Sequence, residues 1–346
     1  MSKRTDKVYA MSSFLMFRTI ANRDIKFRDD IETDFFDSLT LKRIPVKTSK
    51  DLDKAVSSYL EKHVDENTGM MLSGGIDSAI LASYMPKGSK AYTLKAIAPN
   101  AIDETQRAKK YADYHDLEHE IVEIYWEDYE KYSEALMRHK GAPIHSIEVQ
   151  IYKAALQAKR DGLTKLVYGE SADALYGGLD GLLSEERTLE DMLNRYTYVM
   201  PPSVLKDYKV ILDPYMEYLD GKHVDVHKFI SKFFFEESVA SYINACSLAD
   251  IEFVAPYVNT EFVGELDLDK IRNGNSKYII RDLFKEKYPD FEVVEKIPMP
   301  RPMGEWLKDW TGPERPEFIK RDYSQLKPDQ KWLVYILERF LELYNL

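Results

Sequence analysis

The chain has 346 residues, 44% hydrophobic and 31% charged, with 15 Gly and 15 Pro, which is the profile of a folded globular protein and excludes a disordered or fibrous one. A formal charge of -11 disfavours tracking a nucleic-acid backbone, and the single cysteine, Cys246, excludes an intrachain disulfide or a thiolate metal cluster and fits a reducing cytoplasm. The N-terminus has no signal-like apolar core, and no stretch reaches the roughly 18 apolar residues a membrane span requires.

Residues 9–20 are rich in β-branched and aromatic types, and the charged stretch after them alternates only brokenly, so residues 1–48 read as a short leading segment. From Ser49, a plausible N-cap, Leu52, Val56, Tyr59 and Leu60 form one helical stripe that delivers the chain to Gly69. Four short apolar runs follow at Met70–Leu72, Ala91–Ala98, Leu117–Tyr125 and Leu166–Tyr168, separated by helical patterns. That alternation predicts a doubly wound α/β core with a parallel sheet over residues 49–185. Beyond residue 185 strand signals fade, and long amphipathic stretches predict a mainly helical part over 186–346.

The sharpest local feature is Leu72, Ser73, Gly74, Gly75, Ile76, Asp77, Ser78, at a strand end and a helix start. Adjacent glycines let backbone N–H groups turn toward one point, and Ser73 and Ser78 offer hydroxyl donors, so the loop is suited to an anion. Asp77 would repel a bare phosphate, which implies a bridging divalent cation, Mg²⁺ being the natural choice for oxygen ligands. The loop matches neither the common P-loop nor the dinucleotide fingerprint. It resembles S-G-G-x-D-S, the pyrophosphate (PP) loop of the ATP pyrophosphatases, which split ATP between the α- and β-phosphates.

A second motif, Gly169, Glu170, Ser171, Ala172, Asp173, Ala174, Leu175, Tyr176, Gly177, Gly178, resembles the G-E-G-A-D-E-L-F-G-G signature of asparagine synthetases. Following a neighbouring strand, it should face the same crevice. Ile251–Tyr257 is similar to the family's I-E-v-R-x-P-F. Lys277 with Arg281 resembles its K-x-x-L-R helix, and Lys296, with Pro302 and Trp306, its R-x-K-x-G-F-x-x-P-x-x-x-W. Ser12–Arg18 looks like the segment that introduces the synthetase half of full-length members, of whose preceding junction residues 1–48 would be the remnant. The resemblance, running from about residue 9 to about residue 310, implies a PP-loop α/β fold. It further implies ATP and Mg²⁺ as cofactors, Asp77 and Asp173 as Mg²⁺ ligands, Glu170 as acid/base near an attacking amine, and Lys296 neutralising the departing pyrophosphate. Leu72, Ser73, Gly74, Gly75, Asp77, Ser78 and Gly169 would bind ATP.

Full-length members begin with a glutaminase domain whose nucleophile is an N-terminal cysteine; here position 2 is Ser2 and only some 45 residues precede the first helix, so ammonia from glutamine is not expected by that route. Ala174 and Val254 stand where the family has Glu and Arg, and Val294, Pro298 and Met299 where Lys296 is flanked by R, G and F, which puts aspartate as the substrate in doubt. The expected activity is adenylation of a small-molecule carboxylate and transfer to ammonia or a small amine. Beside it stand an intramolecular cyclase using the same chemistry and a non-catalytic ATP-binding subunit partnering a separate amidotransferase chain. Residues outside the motifs are given plainer roles. His223 and His227 have helical i, i+4 spacing without a third ligand and read as solvated. Cys246 reads as a packed small residue. Phe233, Phe234 and Phe235 read as core, while the 24 tyrosines could line an acceptor pocket or a contact in a homo-oligomer.

Overall fold

The computed structural model describes residues 3–293 and 299–346. Five parallel strands make the central sheet: β1 (Thr68–Met71), β2 (Lys90–Ala96), β3 (Glu118–Ile124), β4 (Lys165–Val167) and β5 (Glu252–Val254). Their spatial order is β5-β4-β1-β2-β3. The chain moves outward from β1 in one direction, then returns to β1's other side for β4, so the crevice beyond the ends of β1 and β4 is the topological switch point at which such sheets bind ligands. The four apolar runs of the sequence are four of these strands. The fifth comes from the I-E-v-R-like segment, three residues long, and belongs to the region read as mainly helical.

Ten helices bear on the site: α1 (Lys7–Phe17), α2 (Ser49–His63), α3 (Ile76–Ala82), α4 (Thr105–Tyr114), α5 (Trp126–Lys140), α6 (Ser146–Arg160), α7 (Ala172–Leu175), α8 (Phe235–Leu248), α9 (Tyr278–Lys287) and α10 (Pro328–Leu343). Successive strand residues point to opposite faces, and both faces are covered. Ala91 and Val167 pack with α2, α3, α4 and α9, whereas Tyr92 and Leu166 pack with α5, α6, α8 and α10. Double coverage explains why β1, β2 and β4 read as continuous apolar runs, whereas β3 at the sheet edge is largely exposed. Thr48 caps α2 in a reciprocal capping box with Asp51.

The leader is not a peripheral extension. Ala10 through Phe17 are all buried, and α1 packs against α10. A helix apolar on every side is a core helix and carries no amphipathic stripe, which is why periodicity did not reveal it. Ahead of α8, residues Ile230–Phe234 form a π-helical turn, which shifts the facing of α8 by an extra residue. A small antiparallel sheet of two-residue strands, at Arg187–Thr188, Leu219–Asp220 and His223–Val224, was not foreseen. His223 therefore lies on a strand and His227 on the short helix after it, so the pair does not share a helix, and neither is fully exposed. Cys246 is fully buried and its Sγ donates to the Tyr168 hydroxyl at 3.2 Å. Phe235 is buried, with Phe233 and Phe234 partly so. Among the described residues no helix is long and apolar enough to cross a membrane.

Candidate active site

A cavity of about 830 Å³ opens at the switch point. Leu72, Ser73, Gly75, Asp77 and Ser78 from the first motif line it together with Gly169, Glu170 and Asp173 from the second. Lys296 falls outside the described residues.

The loop between β1 and α3 is tied to itself. Ser73 N–H donates to Ser78 Oγ at 3.0 Å, the two serine hydroxyls are 2.9 Å apart, and Gly75 N–H donates to Ser73 Oγ at 3.1 Å. The glycines are there for space rather than for backbone angle, since neither has positive φ. A Cβ on Gly74 would lie 2.8 Å from Arg107 Cδ and 3.2 Å from Glu104 Cβ. Gly74 faces this neighbour instead of the cavity, and its N–H donates to the buried Glu104 Oε2 at 3.0 Å. Burial pushes the Glu104 carboxyl above the ordinary value, opposed by the Gly74 N–H and Arg107. Glu104 is a cavity residue the motifs did not single out.

The second motif packs directly on the first, with a Gly169 Cβ position only 3.1 Å from Ser78 N. Asp77 and Asp173 meet at one cation, the ammonium of Lys277. It donates to Asp77 Oδ1 and Oδ2 at 2.8 and 2.6 Å and lies 3.0 Å from Asp173 Oδ1. Lys277 is 5% exposed. Burial disfavours its charge, but the two aspartates outweigh that and raise its pKa, so it stays protonated. The arrangement needs Gly178, where a Cβ would sit 2.1 Å from Asp173 Oδ1 and 2.7 Å from Lys277 Cδ. The K-x-x-L-R resemblance located Lys277 without giving it a role.

Two carboxylates converging on one cation, Asp77 and Asp173, are the oxygen donors that would hold a Mg²⁺ ion here. Among the described residues no group of three or more His, Cys, Asp or Glu side chains is placed to hold a metal ion.

Glu170 sits at the end of β4. Its Oε1 accepts from Ser238 Oγ of α8 at 2.8 Å, and the Tyr242 hydroxyl, one turn on, also bonds it. Burial raises its pKa; Ser238 and Tyr242 oppose that and Asp173 adds to it. The next residue, Ser171, is left-handed (φ 74°) where the family signature has Gly. Among the described residues seven non-glycine positions have positive φ, four of them Asn or Asp, which tolerate it. The other three are Arg18 and Lys277, which line this cavity, and Ser171, the neighbour in sequence of the cavity-lining Glu170.

Ala174 and Val254, the departures that put aspartate in doubt, are buried in the core at 2% and 0% exposure and do not line the cavity.

Several solved structures share features of this fold. An ammonia-dependent NAD synthetase from Campylobacter jejuni is 15% identical over 37% of this chain and 58% of its own, with a TM-score of 0.25, so this chain spans less than two thirds of that protein. An NMN synthetase from Francisella tularensis is 12% identical over 72% of this chain and 96% of its own (TM-score 0.28), and an NAD+ synthetase from Burkholderia pseudomallei 11% over 99% and 96% (TM-score 0.27). No curated protein matches the sequence. The asparagine synthase profile matches residues 47–244, more than half of the chain and the stretch that holds both loops, Glu170 and Ser238. With its signature residues gathered at the switch point of a doubly wound sheet, the chain belongs to the asparagine synthase family.

Proposed function

We propose that this protein activates a small-molecule carboxylate with ATP as an acyl-adenylate, releasing pyrophosphate, and transfers the acyl group to ammonia or a small amine. Family membership supports an ATP-using, ligase-type enzyme. The observation that carries the finer reading is the meeting of Asp77, Asp173 and Lys277, from three separate segments, in the same cavity as the partly buried Glu170.

In the first step a carboxylate oxygen bonds to the α-phosphorus and the bond to the bridging oxygen breaks, leaving AMP on the acyl group. Ser73 and Ser78 turn their hydroxyls from each other to phosphate oxygens, and Lys277 offsets charge on the phosphates. Asp77 and Asp173 would hold Mg²⁺, which when bound supplies positive charge to phosphate oxygens. By family resemblance Lys296 adds charge at the pyrophosphate. The apolar wall of Leu72, Leu94, Ile147 and Ile151 suits a flat base. In the second step the amine nitrogen bonds to the acyl carbon, the carbon–oxygen bond to AMP breaks, and Glu170 takes the proton the nitrogen sheds. A carboxylate pKa raised toward the working pH makes it a better acceptor.

The test is AMP, pyrophosphate and product analysis with Mg²⁺–ATP, ammonium (the ammonia that a separate amidotransferase chain would also supply) and a panel of carboxylic acids. AMP with an amide product is the expected result. Loss of water without nitrogen gain would instead establish a cyclase. ATP binding with no AMP under any condition, unaffected by Glu170→Ala, would establish a nucleotide-binding subunit.

A further inference from the structure

The PP loop is fixed at both ends by regular structure and between them by one side chain from elsewhere. At its start Leu72 N–H donates to Tyr92 O at 2.8 Å, and Leu72 O accepts from the buried Thr93 hydroxyl at 2.6 Å, so β2 holds the loop where β1 ends. At its finish Ala79 N–H donates to Gly75 O at 3.2 Å and opens α3. The amides between are held in two different ways. Those of Ser73 and Gly75 donate to serine hydroxyls of the loop itself, whereas that of Gly74 donates to Glu104, 30 residues further on.

Glu104 stands where a side chain usually serves its own helix. It is the N-cap of α4, yet it makes no side-chain cap bond, and glutamate is not among the residues favoured at that position. The local task falls to Asp103, whose Oδ1 accepts from the Thr105 N–H at 2.9 Å and from the Thr105 hydroxyl at 2.6 Å. The Glu104 carboxyl is instead buried at the cavity, at a cost in solvation that a helix start does not require, and meets the Gly74 amide there.

The N–H and C=O of one trans peptide point in opposite directions. While Glu104 holds the Gly74 N–H, the Ser73 carbonyl is turned the other way, toward Ser78 Oγ at 3.3 Å. Ser78 has a single hydroxyl hydrogen, and once that is given to a phosphate oxygen it no longer restrains the carbonyl. Glu104 is then the hold on the Ser73–Gly74 peptide that nucleotide binding does not take away. Were the peptide to turn over, its carbonyl would face the Glu104 oxygens, two acceptors with no hydrogen between them. We infer that Glu104 is a positioning residue for ATP, fixing the Ser73–Gly74 peptide so that the loop meets the phosphates in one shape, through the place of its acceptor oxygen rather than through its charge. This role rests on the proposed function only in taking the loop as the seat of the ATP phosphates.

The test is calorimetric titration of a non-hydrolysable ATP analogue with Mg²⁺ into the intact protein and into Glu104→Gln, Glu104→Asp and Glu104→Ala. Gln keeps the length and an acceptor oxygen without the charge; Asp keeps the charge but falls one methylene short of Gly74. The analogue should bind the Asp and Ala variants about tenfold or more weaker and the Gln variant within about threefold of the unaltered protein. Asp is a favoured N-cap residue, so α4 should persist in that variant, and thermal melts check that each variant is folded. Unchanged affinity in the Asp and Ala variants, tighter binding by Ala, or a Gln variant as weak as Ala would overturn the role. ATP–pyrophosphate exchange separates it from the proposed function. There the KM for ATP should rise in the Asp and Ala variants while that of the carboxylate stays. Exchange with the same ATP dependence in all four proteins overturns the positioning role and keeps adenylation, whereas the expected order of analogue affinities without exchange in the unaltered protein keeps the role and overturns adenylation.

Discussion

At one end the cavity is made largely from two contiguous stretches, 72–78 and 169–178, joined by the single ammonium of Lys277. The opposite wall collects Arg18 from the end of α1, His145 from the start of α6, Glu237 from α8 and Arg301 from the segment before α10. Phosphate can be held by backbone groups and short side chains within one turn of chain, so that end is encoded locally. The opposite wall draws its side chains from several directions, and these come together only when the helices pack on the sheet.

The comparison is tested most severely at Lys277. Lys277→Met removes the cation shared by Asp77 and Asp173, and adenylation measured by ATP–pyrophosphate exchange should fall by about 10³. In the same variant Mg²⁺ should raise the melting temperature more than in the unaltered protein, since the two aspartates then lack that lysine's charge. A small loss of exchange with no altered Mg²⁺ response would reduce the cluster to a structural ion pair.

Glu170→Gln probes the point at which the two ends meet. Amide formation should drop by about 10² while exchange persists, because only the second step needs the proton acceptor. In the unaltered protein the acid limb of amide formation should lie above 4.5, the ordinary carboxylate value, since Glu170 must be ionised and its pKa is raised. Stability gives the opposite sign. The folded state binds this proton more tightly than the unfolded chain, so the contribution is present below the ordinary value and is lost as pH rises through the raised one. Gln keeps a neutral group there at every pH, and the variant should be more stable near neutral pH by about 1 kcal/mol in denaturant unfolding. Equal loss of both steps would remove Glu170 from the amine step.

The smallest effect is expected at Ser171. Ser171→Gly relieves a left-handed serine and should stabilise the protein by roughly 0.5–1 kcal/mol in denaturant unfolding. A destabilised variant would mean that the serine hydroxyl contributes more than the backbone strain costs.

Much of the sheet was legible because β1, β2 and β4 are buried on both faces and read as apolar runs between helical patterns. The fifth strand, Glu252–Val254, is too short to announce itself, and its place beside β4 follows from pairing with residues almost ninety positions earlier. Helix α1 was hidden for the converse reason, being apolar all round. Within the site, the loop residues and Asp173 were readable from spacing and resemblance, but Glu104 appeared only as one acid among many in a charged helix start. Ala174 and Val254 invited a reading in terms of substrate contact, yet both are packed in the core.

From residue types and spacing alone, this chain had to form a parallel α/β core with a glycine- and serine-rich turn that contains a carboxylate, because helix and strand periods and short-range turn chemistry act over a few residues. Folding in three dimensions decided which acids share a cation, that Lys277 is that cation, and that Arg18, His145 and Arg301 turn toward one cavity. Charge pairing and burial depend on distances between segments far apart in the chain, and those distances exist only once the helices are packed on the sheet.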